Sequence, residues 1–172
     1  MNTNLPHIRL RAMEPEDLDA LYRIENDVEL WDVGATNVPY SRYLLHDYIA
    51  NASNDIYTDR QVRLIIEGAD GEIIGLVDLT NFDPKHRRAE LGLVIERPHR
   101  RQGFARAVLP RIEEYAQNVL HLHQLYAVIA VDNVAACSLF RVSDYEQVAC
   151  LPQWIASPSG FRDAIVMQRL FL

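Results

Sequence analysis

The chain has 172 residues, 49% hydrophobic and 24% charged, enough for one α/β-sized domain with a sizeable core. Its formal net charge of −7 argues against a nucleic-acid surface and suits a cationic partner. The opening residues lack the apolar stretch of a signal peptide and no uncharged apolar run could span a bilayer, so a cytoplasmic location and no membrane are expected.

In chain order, "HIRLRAM" alternates as an opening strand, and "EPEDLDALYRIEND" reads as a helix with Pro15 at its first position and acids in its first turn. "VPYSRYLLHDYIANAS" reads as a second helix capped by Ser41. "QVRLIIEG" and "IIGLVDLT" are two strands joined by the Asp-Gly turn "ADGE", and after the loop "NFDPKHR" a third strand, "RAELGLVI", completes an antiparallel meander. "FARAVLPRIEEYAQNVL" has helical spacing, with Pro110 expected to bend it. A buried strand "QLYAVIAV", a short helix "DNVAACSLFRVSD" capped by Asp132 or Asn133, and closing strands "YEQVACLPQWI" and "FRDAIVMQRLFL" follow. The order β-α-α-β-β-β-α-β-α-β-β predicts a mixed sheet with helices on both faces.

The two cysteines, Cys137 and Cys150, form no CxxC pair, and their apolar surroundings predict buried, structural thiols. Among the six histidines, His121 and His123 alternate at a helix-to-strand junction without a third ligand nearby, so no metal is expected.

The stretch "ERPHRRQGFARAVL" concentrates basic residues ahead of Gly103, where a helix begins. A helix start offers unpaired backbone N–H groups and the positive end of the helix dipole, a natural seat for a pyrophosphate. Gly103 lets the backbone approach the ligand, Ala105 keeps the next position small, and Arg100 and Arg101 add charge. A solvated basic loop capping a helix would leave the same pattern.

The run "RRQGFA" resembles the R/Q-x-x-G-x-G/A acyl-coenzyme A signature of the GNAT superfamily of N-acetyltransferases, with Arg100, Gly103 and Ala105 in the matching places. "DNVAACSLF" is similar to the family's Asn-x-x-Ala-x-x-Leu-Tyr helix. "HRRAELGLVI", "GLVDL" and "GFRDAIVM" look like the branch holding ribosomal-protein N-terminal acetyltransferases and bacterial spermidine acetyltransferases, the latter more so. The chain departs from the pattern at Arg101 and Gln102, often glycine and lysine, at "SDY" in place of "LGF", and at Phe140 in place of a tyrosine.

The resemblance implies an α/β GNAT fold in one domain over residues 1–172: a mixed, mostly antiparallel sheet of six to seven strands, helices on both faces, and a splayed pair of central strands. It implies an enzyme that transfers acetyl from acetyl-CoA to a primary amine by direct attack, a polyamine or diamine such as spermidine leading. Acetylation of a ribosomal or other protein N-terminus, or a non-catalytic acyl-CoA-binding module, are the alternatives, and a homo-oligomer is compatible with all of them. Acetyl-CoA would lie against Leu93, Val94 and Ile95, where backbone N–H groups near Val94 and Ile95 would meet the oxyanion. It would extend over the loop and helix start from Arg100 through Arg101, Gln102, Gly103, Phe104 and Ala105 to Arg106, with Asn133 holding the pantetheine or phosphate arm and Phe140 where the family's thiolate acid stands.

For the base, alternation in "RAELGLVI" turns Glu90 away from Leu91, Leu93 and Ile95, toward the side of Gly92 and Val94. If "NFDPKHR" folds symmetrically about Pro84, Asp78 pairs with Glu90, and two facing carboxylates invite an ammonium between them. The alternative is that Arg87 and Arg88 neutralise both acids. Glu25 and Asp27, with Glu29, could line a pocket for the amine, while Tyr40, Trp31 and Tyr43 could stack on its alkyl chain, and a solvated acidic helix end would read alike.

Overall fold

A computed structural model describes residues 5–31, 38–53 and 55–172. The elements are β1 (Ile8–Arg11), α1 (Leu18–Glu25), α2 (Val28–Trp31), α3 (Arg42–Asn51), α4 (Ile56–Asp59), β2 (Val62–Gly68), β3 (Ile73–Asp83), β4 (Arg88–Ile95), α5 (Phe104–Asn118), β5 (Gln124–Ala130), α6 (Val134–Arg141), β6 (Glu146–Ser157) and β7 (Gly160–Leu170). The strands form one mixed seven-stranded sheet in the order β1-β2-β3-β4-β5-β7-β6. This is the expected architecture, with α2 and α4 as short additions. No described helix is long and apolar enough to cross a membrane.

The chain divides into two compact units, one of Met1–Met13, Ser53–Tyr126 and Arg169–Leu172, the other of Glu14–Ala52 and Ala127–Gln168. In the first, β1 to β4 form an antiparallel ladder whose β2–β3 hairpin closes on the expected turn: Gly68 N–H bonds Glu72 O at 2.8 Å and Gly71 adopts φ +78°. One face of the meander is core, with Val77, Leu79 and Ala89 fully buried and Leu91 nearly so. Helix α5 packs against β1 and β4 and buries Val108, Leu109, Ile112 and Ala116, the apolar stripe of a 3.6-residue period. Pro110 sits inside α5 on an exposed position.

Gly75 has no freedom to be anything else. A Cβ there would stand 1.9 Å from the carbonyl oxygen of Val94, so β3 and β4 meet with no room for a side chain at the end of β4.

In the second unit, Pro15 opens a 3-10 turn (Pro15–Asp17) that runs into α1, and Asp17 accepts from the Glu14 N–H at 2.8 Å. Ser41 caps α3 as expected, accepting from Leu44 N–H at 3.1 Å. Asn26 latches α1 to the chain before α3 by exchanging hydrogen bonds with the Tyr40 backbone at 2.8 and 3.0 Å. Cys137 is buried as expected, but Cys150 is exposed. The reason is its strand: β6 stands at the end of the strand order and most of its residues are exposed, so apolar neighbours in sequence are not a burial site.

Candidate active site

Strand β4 carries both parts of the candidate site, a carboxylate in its middle and a basic loop at its end. After Ile95 the chain makes a 3-10 turn over Arg97–His99 and enters α5 through Gly103 at φ +87°. Gly103 offers no side-chain cap, and the first i to i−4 bond belongs to Ala107 N–H, at 3.0 Å from Gly103 O. The N–H groups of Phe104, Ala105 and Arg106 therefore precede the helix's own ladder and point out of its positive end. Arg101 and Arg106 are exposed and carry no ion pair among the described residues. Three uncapped donors beside two cations fit the pyrophosphate of a coenzyme A thioester.

The remaining loop residues build this turn. Arg100 Nε donates to Ile95 O at 2.9 Å, Gln102 Nε2 to Pro98 O at 2.7 Å, and His99 meets the Phe104 ring edge-on at 5.9 Å. Gly103 is required by its positive φ and by crowding: a Cβ there would lie 3.3 Å from Pro6 Cδ. This packing adds a second reason for the glycine to the expected one, close approach of the backbone to a ligand.

At the end of β4, Glu96 N–H bonds back to Ile74 O at 2.9 Å, while Ile95 C=O faces Arg100. Ile95 thus turns its peptide groups away from β3. The parallel ladder with β5 comprises three pairs, Arg88 with Gln124, Ala89 with Leu125 and Glu90 with Tyr126, and β4 runs on past the last of them through Leu93 and Val94 to Ile95.

Glu90 lies on the open side of the meander with Gly92, opposite to the buried Ala89 and Leu91, as the alternation predicts. The expected pairing of Asp78 with Glu90 does not form. Asp78 stands opposite Gly92, and Glu90 opposite Thr80. The turn is centred past Pro84, on residues 84–87 between the paired Asp83 and Arg88, and a bulge between Thr80 and Asp83 then takes up one extra residue of β3. The register moves by two residues, so both acids keep the same face and become diagonal neighbours.

Nor do Arg87 and Arg88 neutralise them: Arg87 Nε donates to His121 O at 2.7 Å and Arg88 pairs with Asp83 at 3.3 Å. Arg63 takes Asp78 instead, through Nε and Nη2 at 2.8 Å each. Around Glu90 stand Asn81, whose Nδ2 donates to Oε2 at 2.7 Å, and Tyr126, its ladder partner on β5. Burial, and then the charge of Glu90, push the Tyr126 phenol above its ordinary value, so it keeps its proton at neutral pH. Arg63 and Asn81 escaped the sequence reading; their signal lay in the register, which no local pattern states.

The other candidates belong to the second unit and are described within it. Asn133 caps α6, its Oδ1 accepting from Ala136 N–H at 3.1 Å, which leaves its Nδ2 as the side-chain donor for a ligand. Phe140 is 5% exposed and packs edge-on against Tyr145 at 4.9 Å. Asp27 Oδ1 accepts from Glu29 N–H at 3.1 Å, and the Glu25 carbonyl accepts from Trp31 Nε1 at 3.1 Å; Glu25, Asp27 and Tyr40 are half-buried, whereas Tyr43 is 82% exposed. Among the described residues no three His, Cys, Asp or Glu side chains gather as a metal site.

Residues 7–145 match the family model for an acetyltransferase (GNAT) domain. The spermidine N(1)-acetyltransferase of Vibrio cholerae is 31% identical over 141 residues, covering 82% of this chain and 78% of that protein. A crystal structure of spermidine N-acetyltransferase from V. cholerae in complex with CoA and spermine superposes with a TM-score of 0.85 at 27% identity over 95% of each chain. A dodecameric structure of that V. cholerae enzyme in an intermediate state gives 0.80 at 27% over 95% of this chain and 93% of the other. An uncapped helix start behind a basic loop, a seven-stranded mixed sheet and these likenesses agree: the chain belongs to the GNAT acetyltransferase family and is an acetyl-CoA-dependent N-acetyltransferase.

Proposed function

We propose that the chain acetylates a primary amine of a polyamine, spermidine first, in one acetyltransferase domain over residues 1–172. The observation that carries the proposal is that β4 holds Glu90 on its open side and ends in the basic loop, with Arg100 joining the two through Ile95 O at 2.9 Å. The likeness to spermidine acetyltransferases supports the polyamine, and the net charge of −7 suits a cationic acceptor.

In this reading the helix start from Gly103 to Arg106 binds the pyrophosphate, with Arg101 and Arg106 adding charge and Arg100 and Gln102 holding the turn. Leu93, Val94 and Ile95 line the acyl arm, Asn133 offers Nδ2 to it, and Ile95 N–H meets the oxyanion. Glu25, Asp27 and Tyr40 receive the distal ammonium. Glu90 takes the proton of the attacking amine through a water; nitrogen then bonds the thioester carbonyl carbon, the C–S bond breaks, and sulfur leaves as thiolate to be protonated. Asp78 is left out of this transfer because its carboxylate serves Arg63.

Magnitudes say which residue matters most. Bringing an alkyl amine of pKa ~10.4 to its neutral form at pH 7 costs roughly 4.6 kcal/mol, whereas expelling a thiol of pKa ~8.5 as thiolate costs roughly 2 kcal/mol. The base outweighs the acid, so Phe140 in the family's tyrosine position slows the reaction without abolishing it. Tyr126, still protonated, is the ladder partner of Glu90 on β5.

A cytoplasmic location belongs to the same proposal. So does self-assembly, supported by the dodecameric V. cholerae structure and testable by light scattering. Thiol release from acetyl-CoA with spermidine, putrescine and an alanine-starting peptide tests the function. Spermidine is expected to be the best acceptor. Release with the peptide alone would point to a protein N-terminus, and tight acetyl-CoA binding without release would leave an acyl-CoA-binding module.

A further inference from the structure

Asn81 sits where the β3–β4 ladder breaks step. Thr80 pairs with Glu90 and Asp83 with Arg88, so Asn81 and Phe82 together face the single residue Ala89. The two bulged residues go separate ways. Phe82 is 5% exposed and takes the Tyr57 ring edge-on at 5.2 Å, and its N–H bonds Arg60 O at 3.1 Å. Asn81, at φ +49°, is exposed and reaches Glu90 with Nδ2 at 2.7 Å. Asn is among the few residues that enter the left-handed region at small cost, so the bulge is built for this side chain.

Its chemistry matters as much as its place. An amide Nδ2 can only donate, so it favours the ionised carboxylate and fixes Oε2, leaving Oε1 for a water or an amine. The other titratable and charged groups around Glu90 are Tyr126 on β5, Asp78 and Asp83 on β3 and Arg88 on β4. Asp78 is balanced by Arg63 and Asp83 by Arg88. Asn81 is thus the neutral donor hydrogen-bonded to the Glu90 carboxylate, with Tyr126 beside it on β5.

We propose that Asn81 is a positioning residue for acetyl transfer: held out by the bulge, it orients the Glu90 carboxylate to receive the amine proton. The proposal rests on Glu90 being the base. Removing Nδ2 frees the carboxylate to rotate, and replacing it with an oxygen sets a second carboxylate within hydrogen-bond distance, which disfavours the charged form of both.

Two variants tolerate the left-handed backbone, Asn81→Gly and Asn81→Asp, and both are compared with Glu90→Gln over a range of acetyl-CoA concentrations with spermidine as acceptor. Asn81→Gly is expected to lower kcat between ~10- and ~100-fold, with the KM for acetyl-CoA unchanged. Asn81→Asp is expected to move the acid limb of the kcat/KM profile upward by about one pH unit, a change that loss of folding would not produce. Wild-type kcat and an unmoved acid limb in both variants, beside an inactive Glu90→Gln, would overturn the role of Asn81 alone. A fully active Glu90→Gln would remove the base assignment and Asn81 with it.

Discussion

Arg63 holds Asp78 in a fork, Nε and Nη2 each 2.8 Å from a separate carboxylate oxygen, with both side chains about a fifth exposed at 23% and 22%. That pairing assigns the two acids on the open face of the meander different tasks. Asp78 neutralises a strand arginine; Glu90 accepts from the neutral Asn81 amide. Asp78→Asn should therefore cost stability, about 1.5–3 kcal/mol for a hydrogen bond to a charged group, and change kcat by less than about fivefold. Glu90→Gln should lower kcat by ~10² to ~10⁴ and leave acetyl-CoA affinity intact. Urea unfolding and steady-state rates for both variants separate the two tasks, and an Asp78→Asn enzyme as inactive as Glu90→Gln would contradict this division.

Gly75 tests how the end of β4 is held. With Val94 O at 1.9 Å from the place of a Cβ, Gly75→Ala must push Val94 and its neighbour Ile95 away from β3. Overpacking of this kind costs about 1–3 kcal/mol, and the displaced segment is the one proposed to meet the oxyanion. The expected outcome is a lower melting temperature together with a fall in kcat. A variant that melts lower yet keeps wild-type kcat would detach the Val94–Ile95 geometry from the chemistry.

Much of this architecture is legible in the amino-acid sequence. Asp70-Gly71 marks its hairpin because a tight turn needs a positive φ, and Gly71 has one. Glu90 could be placed on the open face because strand alternation has a period of two, which survives a register error of two residues. What cannot be read is where the turn lies and that a bulge follows it. "NFDPKHR" contains turn residues but nothing that counts how many of them the ladder consumes, so it reads as a loop about Pro84 that sets Asp78 against Glu90, whereas the turn lies at residues 84–87 and Asn81 belongs to β3. The same blindness hid the exposure of Cys150: a hydrophobic pattern reports which residues could be buried, and β6 lacks a neighbour on its outer side.

Gly103 makes a complementary prediction at the other end of the site. An alanine there would occupy the left-handed region at a cost of order 1–3 kcal/mol and press on Pro6 Cδ at 3.3 Å. The loop would relieve that strain by changing its path into α5, which misaims the N–H groups of Phe104, Ala105 and Arg106. Gly103→Ala should raise the KM for acetyl-CoA by about tenfold or more with a smaller change in kcat, the pattern of lost binding that ground and transition states share. An unchanged KM would show that the helix start is not where the phosphates sit.

The acidic edge of the stability profile should trace to Glu67 on β2. Arg11 Nε donates to its Oε2 at 2.5 Å and Arg9 Nη2 to its Oε1 at 2.7 Å. The Arg11 hydrogen bond, helped by that of Arg9 and by both charges against a smaller effect of burial, holds the Glu67 carboxyl below its ordinary value of 4.5. In the folded chain this group releases its proton at lower pH than in the unfolded chain. Its contribution is therefore complete above about pH 4.5, where both states are ionised, and is lost as pH falls through the lower folded value. Glu67→Gln should lower the urea midpoint at pH 6, and the gap from wild type should close as pH drops below 4.5. Because Arg9 is 64% exposed, part of the gap should also shrink in molar salt. A gap that stays constant from pH 6 down to pH 3 would mean that packing of the Glu67 side chain, and not its charge, joins β1 to β2.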